Sequence, residues 1–162
     1  MVNTKKVARR TLRFSTLDET LAEAQRIADA ARAGSLQQLG NWSPGQAFGH
    51  LAGGVNFRFD GYPKPAPWYL KLLVRPLRGF ILARPFKPGL RVPGIKGGTN
   101  AIDVLPLDEG LARFIAATNR LKAQAPPVPN AVFGPLTHDE WITYAVRHSE
   151  LHLSFFRYGG DK

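Results

Sequence analysis

Residues 137–158 read THDEWITYAVRHSELHLSFFRY, and this stretch constrains the fold more than any other. Trp141, Tyr144, Ala145, His148, Leu151, His152 and Phe155 recur at intervals of three and four residues, the period of one helical face. A half-buried strand would alternate every second residue, and no strand-length run in the chain does so clearly. The start of the helix is marked too. Thr137 and Glu140 have capping-box spacing, and Leu136 and Trp141 flank the cap as a hydrophobic staple does. The stretch therefore predicts an amphipathic helix reaching about Tyr158, which must bury its stripe against other helices. His148 and His152 stand in that stripe one turn apart, where a helical core would ordinarily place leucines. Residues at i and i+4 stack on one face, so both imidazoles can reach a single ion.

This pattern differs from the zinc-protease motif, in which a glutamate directly follows the first histidine. Here Ser149 follows, and Glu150 lies about 200° around the helix from His148, pointing away from whatever the histidines hold. Taken alone, the pair is equally compatible with two satisfied core histidines.

The rest of the chain supplies the partner helices. A first helix is predicted over 17–33, with Thr16 and Glu19 spaced as a capping box and Gly34 as its stop. Leu17, Leu21, Ala24, Ile27, Ala28 and Ala31 form its inward stripe, leaving Asp18, Glu23, Arg26 and Asp29 on a wet side. A second helix begins at Ser43-Pro44-Gly45-Gln46, where Ser43 caps, Pro44 suits the first turn and Gln46 completes the box, and it continues to about Gly61. Ala47, Leu51, Val55 and Phe59 mark its apolar face, with His50 at the edge. Gly53 and Gly54 cost roughly 1 kcal/mol each in helix propensity, which points to close packing or to space for a ligand. A third helix is predicted over 106–124, with Pro106 in its first turn and Leu107, Leu111, Phe114, Ile115, Thr118 and Leu121 inward.

Between the second and third helices, residues 62–105 form a crossover. Seven of the thirteen prolines fall in 62–94, leaving room for short helical pieces at 68–73 and 78–83 separated by Pro76. This punctuation argues against a second domain. The expected architecture is all-α, a four-helix bundle with one long Pro/Gly-rich basic crossover, in a single domain over 1–162 with a basic lead-in at 1–14.

Charge narrows the partners. The chain has 22 basic and 12 acidic residues, and from 61 to 102 there are eight lysines or arginines and no acid. Such a surface attracts anions: a small anionic substrate, an anionic lipid or nucleic acid. No helix–turn–helix, zinc-finger or RNA-binding signature supports nucleic acid. No stretch has the ~18 apolar residues of a membrane span, and no apolar segment follows the basic start as in a signal peptide. The chain has no cysteine, so any metal is held by nitrogen and oxygen and any thiol chemistry needs a thiol from solution. This agrees with a cytoplasmic location and leaves a homodimer open.

His50, His148 and His152 all fall on core-side helix faces, and bundle cores are where metal sites are built from facing helices. His138 lies in the first turn of the last helix, about 15 Å along the axis from His148, and is expected to be exposed and no ligand. A histidine late in W-S-x-G-Q-x-x-x-H-L together with a terminal H-x-x-x-H resembles the DinB/YfiT-like superfamily. The closer likeness is to its bacterial branch known as domain of unknown function 1569. RRTLRFSTLDE (9–19), NWSPGQAFGHL (41–51), DGYPKP (60–65), FGPLT (133–137) and RHSELHL (147–153) carry the likeness, while 66–100 matches loosely. The resemblance implies a DinB-like bundle with a histidine-triad site, His50, His148 and His152, for a divalent nickel, zinc, iron or manganese ion. Better-known relatives are thiol-dependent transferases or isomerases, and others are hydrolases.

Three readings follow. The first is a metal-dependent enzyme in which a low-molecular-weight thiol is co-substrate or water is the nucleophile. Tyr144, one turn before His148, is then the candidate proton donor, and Gln46, one turn before His50, a candidate ligand-orienting group. The second is a non-enzymatic binding module using the basic face. The third is a structural bundle with a vestigial site.

Overall fold

A computed structural model describes residues 2–62, 67–89 and 103–159, and it is mostly helical. Helix α1 covers Leu17–Arg32, α2 Pro44–Asp60, α3 Trp68–Val74, α4 Arg78–Leu82, α5 Leu107–Ala123 and α6 His138–Leu153. A 3₁₀ turn, Arg75–Leu77, containing Pro76, separates α3 from α4. Lys64, Arg91, Lys96, Pro63, Pro65 and Pro93 of the expected crossover lie outside the described residues.

Side-chain caps fix where the long helices begin. The Ser43 hydroxyl accepts the Gln46 N–H at 3.2 Å while the Gln46 side chain accepts the Ser43 N–H at 3.0 Å. Thr137 and Glu140 make the same reciprocal pair at the start of α6. At α1 only half of the expected box forms: Thr16 caps Glu19, but the Glu19 carboxylate takes the N–H of Ser15 at 2.6 Å. Pro106 is the cap position of α5 and not its first helical residue.

The four long helices share one core. Ile27 of α1, Phe48 and Leu51 of α2, Phe114 and Leu121 of α5, and Trp141 and Leu153 of α6 meet there. Phe48 and Phe114 stack with centroids 6.2 Å apart, where α2 crosses α5. That crossing is close because Gly45 faces Gly110: a Cβ on Gly110 would fall 2.4 Å from the Gly45 carbonyl oxygen.

Three expectations are corrected. First, α6 ends at Leu153, not near Tyr158. Ser154 closes it, and Phe156–Arg157 (β2) pairs antiparallel with Gln37–Gln38 (β1). Residues 155 and 156 would lie about 100° apart on a continued helix; the turn lets both phenylalanines be buried. Second, Glu23 is 3% exposed, not on a wet side, and it holds Arg10, Arg26 and the Tyr158 hydroxyl. Third, the buried face of α6 centres on Trp141, Ala145, Val146, Ser149, Glu150 and Leu153, so Tyr144, His148, Leu151 and His152 form its half-buried edge. The polar Ser149 and Glu150 hide this face from a reading based on hydropathy. Glu150 accepts the Phe14 N–H at 2.7 Å and pairs with Arg13 and Arg147, so the basic lead-in is bound to the body of the fold through it.

Candidate metal centre

The cap at Ser43 places His50 on the second turn of α2, facing His148 and His152 of α6. His50 is 7% exposed, and the other two are half-buried. The Nε2 of His148 lies 3.1 Å from the Nε2 of His50 and 3.1 Å from the Nε2 of His152. The three rings meet edge to face, with centroids 4.6 to 4.9 Å apart. A neutral imidazole nitrogen carries either a proton or a lone pair. One proton can satisfy one of the two contacts at His148 but not both well, whereas a cation among three lone pairs satisfies all of them.

The charge state agrees with this geometry. Burial first, then His152, His50 and Arg58, hold His148 well below the ordinary histidine range, and burial with His50 and Arg9 does the same to His152. Both rings are therefore neutral near pH 7, the form that binds metal. Nitrogens about 2.1 Å from one ion stand roughly 3.0–3.4 Å apart across octahedral or tetrahedral edges, which the two 3.1 Å contacts fit. Among the described residues these three histidines are close enough to hold a metal ion together. Imidazole nitrogen suits zinc, nickel, iron and copper alike, so the donor set does not choose the metal.

Around the cluster, Trp42 stacks on His152 at 5.1 Å and 10° and leans against His50 at 4.9 Å. The sequence pattern W-S-x-G-Q-x-x-x-H-L includes it, but sequence reasoning gave it no role at the site. Gly54, one turn after His50, lies under His148: a Cβ there would come within 3.3 Å of the ring Cε1. Of the two readings of the glycine pair, close packing is the one Gly54 shows, against a histidine ring. Tyr144 sits 6.0 Å from His148, among Phe86, Phe133 and Trp141. Gln46 spends its side-chain oxygen on the cap of α2. His138 is half-buried, not exposed as expected, because its Nε2 lies 2.6 Å from the Leu121 carbonyl oxygen; it stays outside the cluster.

Residues 6–158 match the model of a family described as Protein of unknown function (DUF1569). The chain belongs to the DUF1569 family. No curated protein and no solved structure matches it significantly. The DUF1569 match takes in all three histidines, Trp42, Gly54 and Tyr144.

A second residue missed from sequence stands next to the DUF1569 histidines. Arg58, two turns beyond His50 on α2, is 1% exposed, with its guanidinium carbon 4.5 Å from the Tyr144 ring centroid and 5.3 Å from that of Trp141. The i+8 interval from His50 was its signal. On the other side, a cavity of about 340 Å³ is lined by Arg9, Arg10, Phe86 and Leu151 among others. The histidines do not line it, but Phe86 packs on Tyr144, and Leu151 lies between His148 and His152 on α6.

Proposed function

We propose that this DUF1569 protein is a single-domain, DinB-like four-helix bundle with a divalent metal on His50, His148 and His152, and that it is an enzyme acting on a small anionic substrate. The convergence of the three Nε2 atoms carries the reading. A divalent ion held by three neutral imidazoles supplies Lewis acidity and lowers the pKa of a water or thiol. The chain's own residues do the rest. The imidazoles give their lone pairs, Trp42 covers two of the rings, and Tyr144 can give a proton from the edge of the site. The likeness to thiol-dependent transferases favours a low-molecular-weight thiol as the nucleophile, added to an electrophile, and with no cysteine in the chain that thiol comes from solution; hydrolysis with water in that role is the alternative.

The first test is metal content. Protein purified without an affinity tag is expected to carry or take up about one divalent ion per chain, and His148→Ala/His152→Ala to take up none. Loading unchanged in that double variant sinks the reading. Reconstituted protein is then screened with bacterial thiols and electrophiles. Turnover insensitive to chelator, or ester hydrolysis without any thiol conjugation, rejects transfer.

A second reading, contact with an anionic membrane surface, is favoured by one observation: Trp68, Tyr69, Leu72, Leu73, Leu77 and Phe80 are all more than 45% exposed on α3, the 3₁₀ turn and α4. These residues alternate with Lys71, Arg75 and Arg78. The reading concerns a different face and is compatible with the first. No helix of the described residues is long and apolar enough to cross a membrane.

A further inference from the structure

Arg58 is nearly inaccessible, yet its Nη1 has no hydrogen-bond partner. No carboxylate of the described residues acts on Arg58; of those on its own and the facing helix, Asp60 pairs with Arg120, Glu140 with Arg78, and Glu150 with Arg13 and Arg147. The faces of Tyr144 and Trp141 stabilise the guanidinium from above and beside it. Ring faces do not satisfy the five N–H donors that a guanidinium directs in its plane. A buried cation without a counter-charge is among the costlier features a fold can carry, and an anion received between binding partners resolves it.

The surroundings say what kind of anion. The groups that act on Arg58 are the phenols of Tyr144 and Tyr62, not a second cation. Burial raises the Tyr62 phenol to about 12, so it remains a neutral O–H. One planar fork with a single charge and aromatic walls matches a carboxylate on an apolar body better than a phosphate dianion. The position relates it to the histidines. Tyr144 touches both groups, its ring centroid 4.5 Å from the Arg58 guanidinium and 6.0 Å from the His148 ring. His50, Gly54 and Arg58 follow one another at four-residue steps along α2.

We propose that Arg58 is the anion-binding residue of this site, receiving the carboxylate of a small substrate whose apolar body lies against Tyr144 and Trp141 and whose other end reaches the three histidines. The far end rests on the metal reading above; the carboxylate contact does not. The test uses the full chain, chelator-treated and zinc-loaded, titrated calorimetrically with benzoate, with its neutral isostere benzamide and with inorganic phosphate. Benzoate is expected to bind both forms and benzamide neither. Arg58→Met should weaken benzoate about 10- to 100-fold, the range for a hydrogen-bonded charged pair, with zinc uptake no weaker than in wild type. Equal binding of benzoate and benzamide, phosphate tighter than benzoate, or benzoate binding kept in Arg58→Met overturns the proposal. Benzoate binding that depends on Arg58 in a chain that takes up no zinc overturns the metal reading alone. Should Arg58→Met not fold, the guanidinium ¹⁵N resonance missing from the Arg58→Lys spectrum is followed in wild type. A shift on adding benzoate supports the subsite, and its absence overturns it.

Discussion

His148 differs from an ordinary core histidine in that two other imidazole nitrogens stand 3.1 Å from its own Nε2. Burial and these neighbours hold its folded pKa below the unfolded value of about 6.5, and burial with His50 and Arg9 does the same for His152. The sign of the pH effect follows. Above about pH 6.5 both rings are neutral in both states and contribute no pH dependence. Below it the unfolded chain takes up protons that the folded chain refuses, so stability falls with pH. Chelator-treated wild type should lose stability between about pH 7 and pH 5 with a slope approaching two protons, and His148→Ala/His152→Ala should follow a flatter curve. Parallel curves in urea denaturation would mean that the rings titrate freely and the cluster is open to water. Gly54→Ala separates the site from the fold. The added methyl presses on the His148 ring while removing about 1 kcal/mol of glycine's cost within α2. The variant is expected to melt no lower than wild type yet to bind zinc about tenfold more weakly, as displaced supporting groups do; unchanged zinc affinity would show that the ring has room to move.

At the scale of elements, α6 organises both the candidate site and the N-terminal lead-in, on different faces. Its half-buried edge carries Tyr144, His148 and His152, while Glu150 on the buried side accepts the Phe14 N–H and pairs with Arg13 and Arg147. Removing that carboxylate leaves a buried N–H and Arg147 without their partner. Glu150→Ala should therefore cost about 3 kcal/mol and expose residues 2–13 to proteolysis, without altering the zinc stoichiometry of the histidines. A stability change below about 1 kcal/mol, or a lead-in still resistant to protease, would count against this anchoring role. The same helix shows what could be read from sequence. Its start was legible because Thr137 and Glu140 form a local reciprocal cap, and the two histidines because one turn of helix sets their spacing. Its end was not, because β2 exists only through pairing with β1 more than a hundred residues earlier. Glu23 was misread for a similar reason, because its partners Arg10 and Tyr158 lie outside its helix; Glu150 was placed away from the histidines, but its partner Phe14 was out of reach of the same period. Trp42 and Arg58 carried positional signals, but their role depends on side-chain contacts across elements that periodicity does not describe.

For the whole molecule, the net charge of +10 has a definite location. Many arginines of the long helices are neutralised: Arg32 by Asp29 and Asp108, Arg113 by Glu109, Arg120 by Asp60. Between α2 and α5, Arg78 pairs with Glu140, and Arg84 lies 3.7 Å over the Phe80 ring. The stretch from 61 to 102 contributes no acid of its own. Here the exposed Trp68, Tyr69, Leu72, Leu73, Leu77 and Phe80 coincide with the unopposed charge. Apolar and aromatic side chains interspersed with lysine and arginine on short helices suit the headgroup region of an anionic bilayer, where each buried apolar group and each cation near the surface adds about 1 kcal/mol. Full-length protein is expected to co-sediment with phosphatidylserine-containing vesicles and not with phosphatidylcholine vesicles, and raising salt should release it. Trp68→Ser/Leu72→Ser should release it at all salt concentrations, and Arg75→Glu should weaken binding by an amount that shrinks as salt is raised; zinc uptake should be unchanged in both. Binding to both kinds of vesicle alike would remove the role of charge. If the protein binds neither, and a wild-type dimer in size-exclusion chromatography becomes a monomer in Trp68→Ser/Leu72→Ser, the face is covered by a second copy of the chain and the membrane reading falls.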